Sequence, residues 1–89
     1  MENEENQRKA FRAAIEEIIT NQMRDNDPPE TNITYKRLVR EGWSRGDAHK
    51  FVAQCVTVEI FMVMKYQQEF NQTRFVKNLL NLPAEPSED

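Results

Sequence analysis

The sequence predicts an all-α fold, a small four-helix bundle with a long third helix packed at its centre. Apolar residues recur at spacings of three and four along successive segments, which is typical of helices with one buried face. Prolines, a glycine and capping residues separate these segments. No segment shows strand-like alternation between turn signals. With 89 residues, the chain has room for one hydrophobic core.

The first helix is predicted from about Glu4 to Met23 or Arg24. Its apolar stripe recurs with helical spacing along Phe11, Ala14, Ile15, Ile18, Ile19 and Met23. Acidic residues before this stripe suit the positive end of the helix dipole, and Arg24 suits the negative end. The charges therefore agree with the helix that the spacing predicts.

A proline pair separates the first helix from the second. Asp27 is the predicted N-cap, with Pro28 at the first helical position and Glu30 completing a variant capping box. We expect the second helix to continue to about Glu41. Gly42 is expected to end it in a left-handed conformation.

The third helix is predicted to be the longest element, from Arg45 to about Gln68, with Ser44 as its N-cap. Its centre, Phe51–Met64, is the most apolar stretch of the chain. That stretch is shorter than the roughly 20 residues that span a bilayer, and it contains Glu59. We therefore expect a core helix and no membrane segment.

The fourth helix follows a turn near Phe70, with Asn71 or Thr73 as its cap, and ends near Leu82 and Pro83. Its predicted contact residues are Phe75, Val76, Leu79 and Leu80. This helix completes the predicted bundle.

Both ends of the chain are acidic and lack apolar periodicity. We predict a single helical domain over residues 7–82, preceded by a mobile acidic tail over residues 1–6. A disordered acidic tail is expected over residues 83–89.

The balance of charge disfavours nucleic acid as a partner. The formal net charge is -3 and the isoelectric point is about 5.2, whereas proteins that bind phosphate backbones cluster Lys and Arg. One local concentration of cations leaves a nucleic-acid accessory role open as a lesser alternative: Lys36, Arg37, Arg40, Arg45 and Lys50.

The single cysteine, Cys55, has no partner for an internal disulfide, and the acidic start of the chain does not resemble a signal peptide. We therefore expect a cytoplasmic protein. His49 and Cys55 are about 120° apart on the third helix, too far around it to form a dyad. The sequence also lacks H-E-x-x-H and C-x-x-C motifs. These observations predict a non-enzyme with no catalytic residue, cofactor or metal ligand.

Glu59 lies on the apolar stripe of the third helix, where an ionised carboxylate needs a partner. The predicted polar site comprises Glu59 with Tyr35, Tyr66 and Arg12, and Arg37 and Arg74 are further candidates. Three interpretations stay open. The site is a structural lock that fixes the helix register or the centre of a ligand pocket, or Glu59 is exposed because the helix is rotated differently from the prediction.

Three large side chains, Trp43, Phe61 and Met64, are predicted to form an apolar interaction surface. The expected function is therefore a protein-interaction or structural module, with a protein partner or a second copy bound at this surface. The alternative is a small-molecule-binding regulatory domain with a pocket around Glu59.

The chain resembles a small bacterial helical domain family of unknown function over Asp25 to Pro83. The resemblance rests on D-P-P-E-T, T-Y-x-R-L, G-W-S, V-E-I and L-x-x-L-P, in this order. It implies a bacterial protein with this helical architecture, and it assigns no functional residue. The loop around Gly42 and Trp43 is also similar to that of ubiquitin-associated domains, but the third helix is too long for that family.

Overall fold

The computed structural model describes the backbone of residues 2–89 and the side chains of residues 4–89. Over this range the chain forms four helices and no strand: α1 (Glu2–Asp25), α2 (Pro29–Arg40), α3 (Arg45–Tyr66) and α4 (Gln72–Asn81). The predicted all-α four-helix bundle is confirmed. No helix in the described range is long and apolar enough to cross a membrane.

Helix α3 packs against α1, α2 and α4, just as α2 packs against α1, α3 and α4, whereas α1 and α4 do not pack against each other over the described residues. Its buried apolar residues Ala48, Val52, Cys55 and Val56 join one core cluster with residues of the other elements. Those other residues are Ile15, Ile19, Leu38, Phe75, Leu79 and Leu82. The apolar stripes predicted from helical spacing therefore meet in one core.

The relative helix lengths differ from the prediction. Helix α1 has 24 residues and α3 has 22, so α3 is not the longest element. Helix α1 already begins at Glu2, within the predicted N-terminal tail, and Met1 lies outside the described residues. Helix α3 ends at Tyr66 because Gln67 adopts a left-handed conformation, with φ of 51°. The mobility predicted for residues 1–6 stays a prediction.

The predicted N-cap of α2 is wrong. Pro28 occupies that position, and no side chain caps the helix. The backbone N–H of Asp27 donates to Gln22 O at 3.0 Å, so Asp27 belongs to the turn that closes α1. The N–H of Thr31 is instead bonded to Pro28 O at 3.2 Å. The proline pair therefore starts α2 without an aspartate cap.

The residues predicted to end α2 and to cap α3 and α4 have the expected roles. Gly42 has φ of +105°, and its N–H donates to Val39 O at the end of α2. Ser44 Oγ accepts from the N–H of Asp47 at 3.0 Å, which caps α3. Asn71, one of two predicted caps, starts α4. The short α2–α3 connection therefore has the predicted stop and start signals.

Candidate functional site

The carboxylate of Glu59 is completely buried and forms an ion pair with Arg74, whose side chain is 8% exposed. Arg74 Nε donates to Glu59 Oε2 at 2.6 Å, and Arg74 Nη2 donates to Glu59 Oε1 at 2.9 Å. This bidentate geometry matches the planar guanidinium to both carboxylate oxygens. The ion pair with Glu59 raises the pKa of Arg74, so this guanidinium stays charged.

A third donor completes the site. The backbone N–H of Asn71 donates to Glu59 Oε1 at 2.8 Å, while the Asn71 side chain accepts from the N–H of Arg74 at 3.0 Å. Glu59 therefore binds both the N-cap of α4 and a side chain of its first turn. This arrangement fixes the start of α4 against α3, as expected of a structural lock.

The C-terminal segment closes over the same face of α4. Arg74 Nη1 donates to Glu88 O at 3.2 Å. Asn78 donates to Ser87 O at 2.8 Å and accepts from the N–H of Ser87 at 3.0 Å. Residues 83–89 were predicted to be a disordered tail; the structure places Ser87 and Glu88 in contact with α4, and the disorder itself stays a prediction. Apolar periodicity does not reveal such contacts, because they are made by polar groups.

The other predicted members of the polar site lie elsewhere. Tyr66 is seven residues beyond Glu59, about 10 Å along the α3 axis, and its exposed ring lies near Lys65 Nζ. Arg12 is exposed on α1, and Tyr35 is half-buried in a groove beside α2. These three assignments are therefore wrong, whereas the further candidate Arg74 is the partner of Glu59.

Arg37, another candidate for Glu59, serves the opposite end of α4. Its Nη2 donates to Leu82 O at 2.9 Å and Leu79 O at 3.3 Å, and its Nη1 donates to Glu41 at 3.0 Å. The guanidinium thereby adds a donor to carbonyl groups at the C-terminal end of α4, where Leu79 O also accepts from the N–H of Leu82. No sequence signal identified this role, because it depends on how α2 and α4 pack.

Cys55 is fully buried one turn before Glu59. Burial, followed by the nearby charge of Glu59, raises the pKa of the Cys55 thiol to about 12. The thiol is therefore protonated at neutral pH and is a poor nucleophile. His49 Nε2 instead lies 2.7 Å from Glu16 Oε2 on α1, in a partly exposed pair. Residues 4–89 contain no group of three or more potential metal-binding side chains.

A groove with a largely apolar lining runs between the N-terminal half of α1 and the C-terminal end of α3. We call it the α1–α3 groove. It has a volume of about 730 Å³ and is lined by Glu4, Gln7, Arg8, Ala10, Phe11, Ala14, Ile60 and Met64. Met64 is the most exposed large apolar side chain of the described residues, at 65%. Neither Glu59 nor Arg74 lines this groove.

Comparison with family models, with curated proteins and with solved structures finds no match to this chain. The resemblance to a bacterial helical family therefore stays a prediction.

The three residues of the predicted interaction surface do not form one patch. Phe61 and Met64 lie one turn apart near the end of α3, and both are exposed. Trp43 precedes α3 and packs its ring edge-on against Phe51, with the ring centroids 4.9 Å apart. Phe51, on which the Trp43 ring packs, lies ten residues before Phe61, roughly 15 Å along the α3 axis. Only Met64 of the three lines the α1–α3 groove.

Proposed function

We propose that this protein is a non-enzymatic helical interaction module that binds a second copy of itself through the α1–α3 groove. The single observation that carries the proposal is the open groove, with Phe11, Ile60 and the 65% exposed Met64 in its lining. Burial of apolar surface contributes about 25 cal/mol per Å², so covering this groove favours association.

The charges on α1 favour a second copy as the occupant. Glu4 and Glu5 are followed by Arg8, Lys9 and Arg12, and these five side chains line one surface of α1. Glu4 and Arg8 also line the α1–α3 groove. In a twofold arrangement with antiparallel α1 helices, Glu4 of one copy faces Arg8 of the other, and the reverse pair forms by symmetry. Apolar contact and charge pairing therefore favour the same arrangement.

A ligand pocket around Glu59 has less support. Both carboxylate oxygens already accept hydrogen bonds from Arg74 or Asn71, and the side chain has no exposed surface. A ligand at this site has to displace a buried ion pair. The proposed module has no cofactor. We also propose a cytoplasmic location, in keeping with the single, buried cysteine.

Analytical ultracentrifugation over a range of concentrations tests the self-association. We expect a reversible dimer of the wild-type chain at high micromolar concentration and a monomer for Met64→Glu. The matched control is Leu80→Glu, because Leu80 on α4 is 56% exposed and lies outside the groove. A wild-type monomer across the whole range overturns the proposal, and so does equal loss of the dimer in both variants.

A charge exchange tests the antiparallel arrangement. Glu4→Lys alone places like charges opposite each other and is expected to weaken the dimer. The double variant Glu4→Lys/Arg8→Glu restores the opposite charges between copies, so we expect it to recover dimerisation. Failure of the double variant to dimerise better than Glu4→Lys contradicts this arrangement.

A further inference from the structure

A second groove lies where α2 meets the C-terminal end of α1 and the N-terminal end of α3. We call it the α2 groove. It has a volume of about 450 Å³ and is lined by Met23, Asn32, Tyr35, Lys36, Val39, Arg40 and Arg45. Its residues come from three helices that pack together, so its shape is set by the core beneath it. It shares no lining residue with the α1–α3 groove.

The lining of the α2 groove includes an apolar part. Met23 and Tyr35 are half-buried there, and Val39 is 36% exposed. Asn32 is held in place because its side chain donates to Met23 O at 3.0 Å and to Asn26 at 3.1 Å. The groove therefore offers a contact surface for an apolar side chain, supported by residues already anchored to the bundle.

Three cations complete the lining, and none of them is paired with a carboxylate of residues 4–89. Lys36, Arg40 and Arg45 are exposed and form no ion pair with any residue of the range 4–89. By contrast, Arg37 of the same helix is paired with Glu41. The chain as a whole has a net charge of -3, so this groove is a local cationic site on an acidic protein.

We infer that the α2 groove binds an acidic peptide segment of another protein, one in which an apolar side chain is flanked by carboxylates. The apolar side chain contacts Met23, Tyr35 and Val39, while the carboxylates pair with the exposed cations. Complementary charge of this kind increases the association rate and fixes the orientation of the peptide. This surface is independent of the proposed self-association.

The same geometry favours a peptide over nucleic acid. Two of the five clustered cations, Arg37 and Lys50, do not line the groove, which leaves three for phosphate contacts. Nucleic-acid binding usually needs a longer basic surface, because its affinity increases with the number of phosphates neutralised. Tyr35 is half-buried, which limits the ring face available for base stacking.

Selection from a display library of random linear peptides tests the inference, with the full chain as the target. We expect the enriched peptides to combine Asp or Glu with Leu, Phe or another large apolar residue. Fluorescence anisotropy then measures the affinity of an enriched peptide. The variant Lys36→Glu/Arg40→Glu is expected to weaken this binding at least about tenfold, because it replaces two attractive charges by repulsive ones.

The control variant is Lys50→Glu/Lys77→Glu, which changes the net charge equally at two exposed positions outside the groove. It is expected to bind the peptide within about twofold of wild type, as is Met64→Glu, which tests the independence from self-association. Circular dichroism verifies the fold of each variant.

Three results overturn the inference: no enriched peptide, enriched peptides without acidic residues, or equal weakening by the groove and control variants. Single-stranded DNA is measured in parallel. Tighter binding of DNA than of any enriched peptide, lost in Lys36→Glu/Arg40→Glu, assigns the groove to nucleic acid instead.

Discussion

Helix α3 carries two contrasting sites only five residues apart. Glu59 is charged yet completely buried, and its carboxylate has three hydrogen-bond donors. Met64 is apolar yet 65% exposed in the α1–α3 groove. A five-residue separation rotates the side chains by about 140° around the axis, so they face different neighbours. Glu59 is the more unusual residue in the sequence. In the structure its interactions are nevertheless completed within the chain, whereas those of Met64 are not.

This contrast shows that a residue of unusual type is a weaker indication of a binding site than an apolar side chain that is still exposed to solvent. Glu59 has no exposed surface to offer, and a ligand there competes with Arg74 and Asn71. Met64 and its neighbours still contact solvent, so a partner that covers them gains free energy. Substitutions at these positions test whether Glu59 is structural and whether Met64 is available to a partner.

The largest effect is expected for Glu59→Gln. Removing the charge leaves Arg74 buried without its counterion, which destabilises the fold by about 3 kcal/mol or more. Urea unfolding measures the change. The control, Asp25→Asn, makes the same acid-to-amide substitution in an exposed pair with Arg24 and should leave the midpoint nearly unchanged.

A double-mutant cycle sharpens this test. In the Glu59→Gln background, Arg74→Met removes a guanidinium that has already lost its counterion. We expect the double variant to be at least about 1 kcal/mol more stable than the sum of the two single effects predicts. Additive effects, or a nearly neutral Glu59→Gln variant, contradict the structural lock.

Burial in the folded state raises the pKa of the Cys55 thiol from its ordinary value of 9.0 to about 12. Below pH 9 the thiol is neutral in both states and its ionisation does not affect stability. Between about pH 9 and 12 the unfolded chain loses this proton and the folded chain retains it. The free energy of unfolding therefore falls by up to about 1.4 kcal/mol per pH unit.

The variant Cys55→Ala isolates this contribution, because it lacks the thiol and retains every other titrating group. Its free energy of unfolding should fall less steeply than that of wild type over the same pH range. Parallel curves for the two proteins would falsify the proposed link between burial of Cys55 and alkaline instability.

A smaller effect is expected at Thr34, which differs from Glu59 in being buried without complete hydrogen bonding. Its Oγ1 has no partner among the described residues. Valine has a similar shape and lacks the hydroxyl, so Thr34→Val should increase the free energy of unfolding by about 1 kcal/mol. Thr31→Val is the control. It removes a hydroxyl that donates to Gln22 at 2.9 Å and should destabilise the protein.

The smallest effect on the folded monomer is expected for Met64→Gln. The side chain already contacts solvent, so the free energy of unfolding at low protein concentration should change by less than about 0.5 kcal/mol. Self-association should nevertheless weaken. A large loss of monomer stability indicates that Met64 belongs to the core and removes the contrast with Glu59.

Local sequence chemistry predicted much of the helical framework. The helix ends were predictable because capping involves residues that are close in the chain. The N-caps of α3 and α4 are Ser44 and Asn71, and α2 is followed by Gly42 in a left-handed conformation. Asp27 shows the limit of this reasoning. Its side chain is suitable for an N-cap, but its backbone completes the turn after α1.

The sequence by itself determined the helical class, the apolar helix faces that meet in the core and the need of Glu59 for a partner. These features follow from apolar periodicity and from the free-energy cost of burying a charge. Tertiary structure alone selected Arg74 over Tyr35, Arg12 or Tyr66, because that choice depends on how α4 packs against α3. The packing of α1 along α3 likewise decided that Met64 faces a groove, whereas Trp43 packs on Phe51.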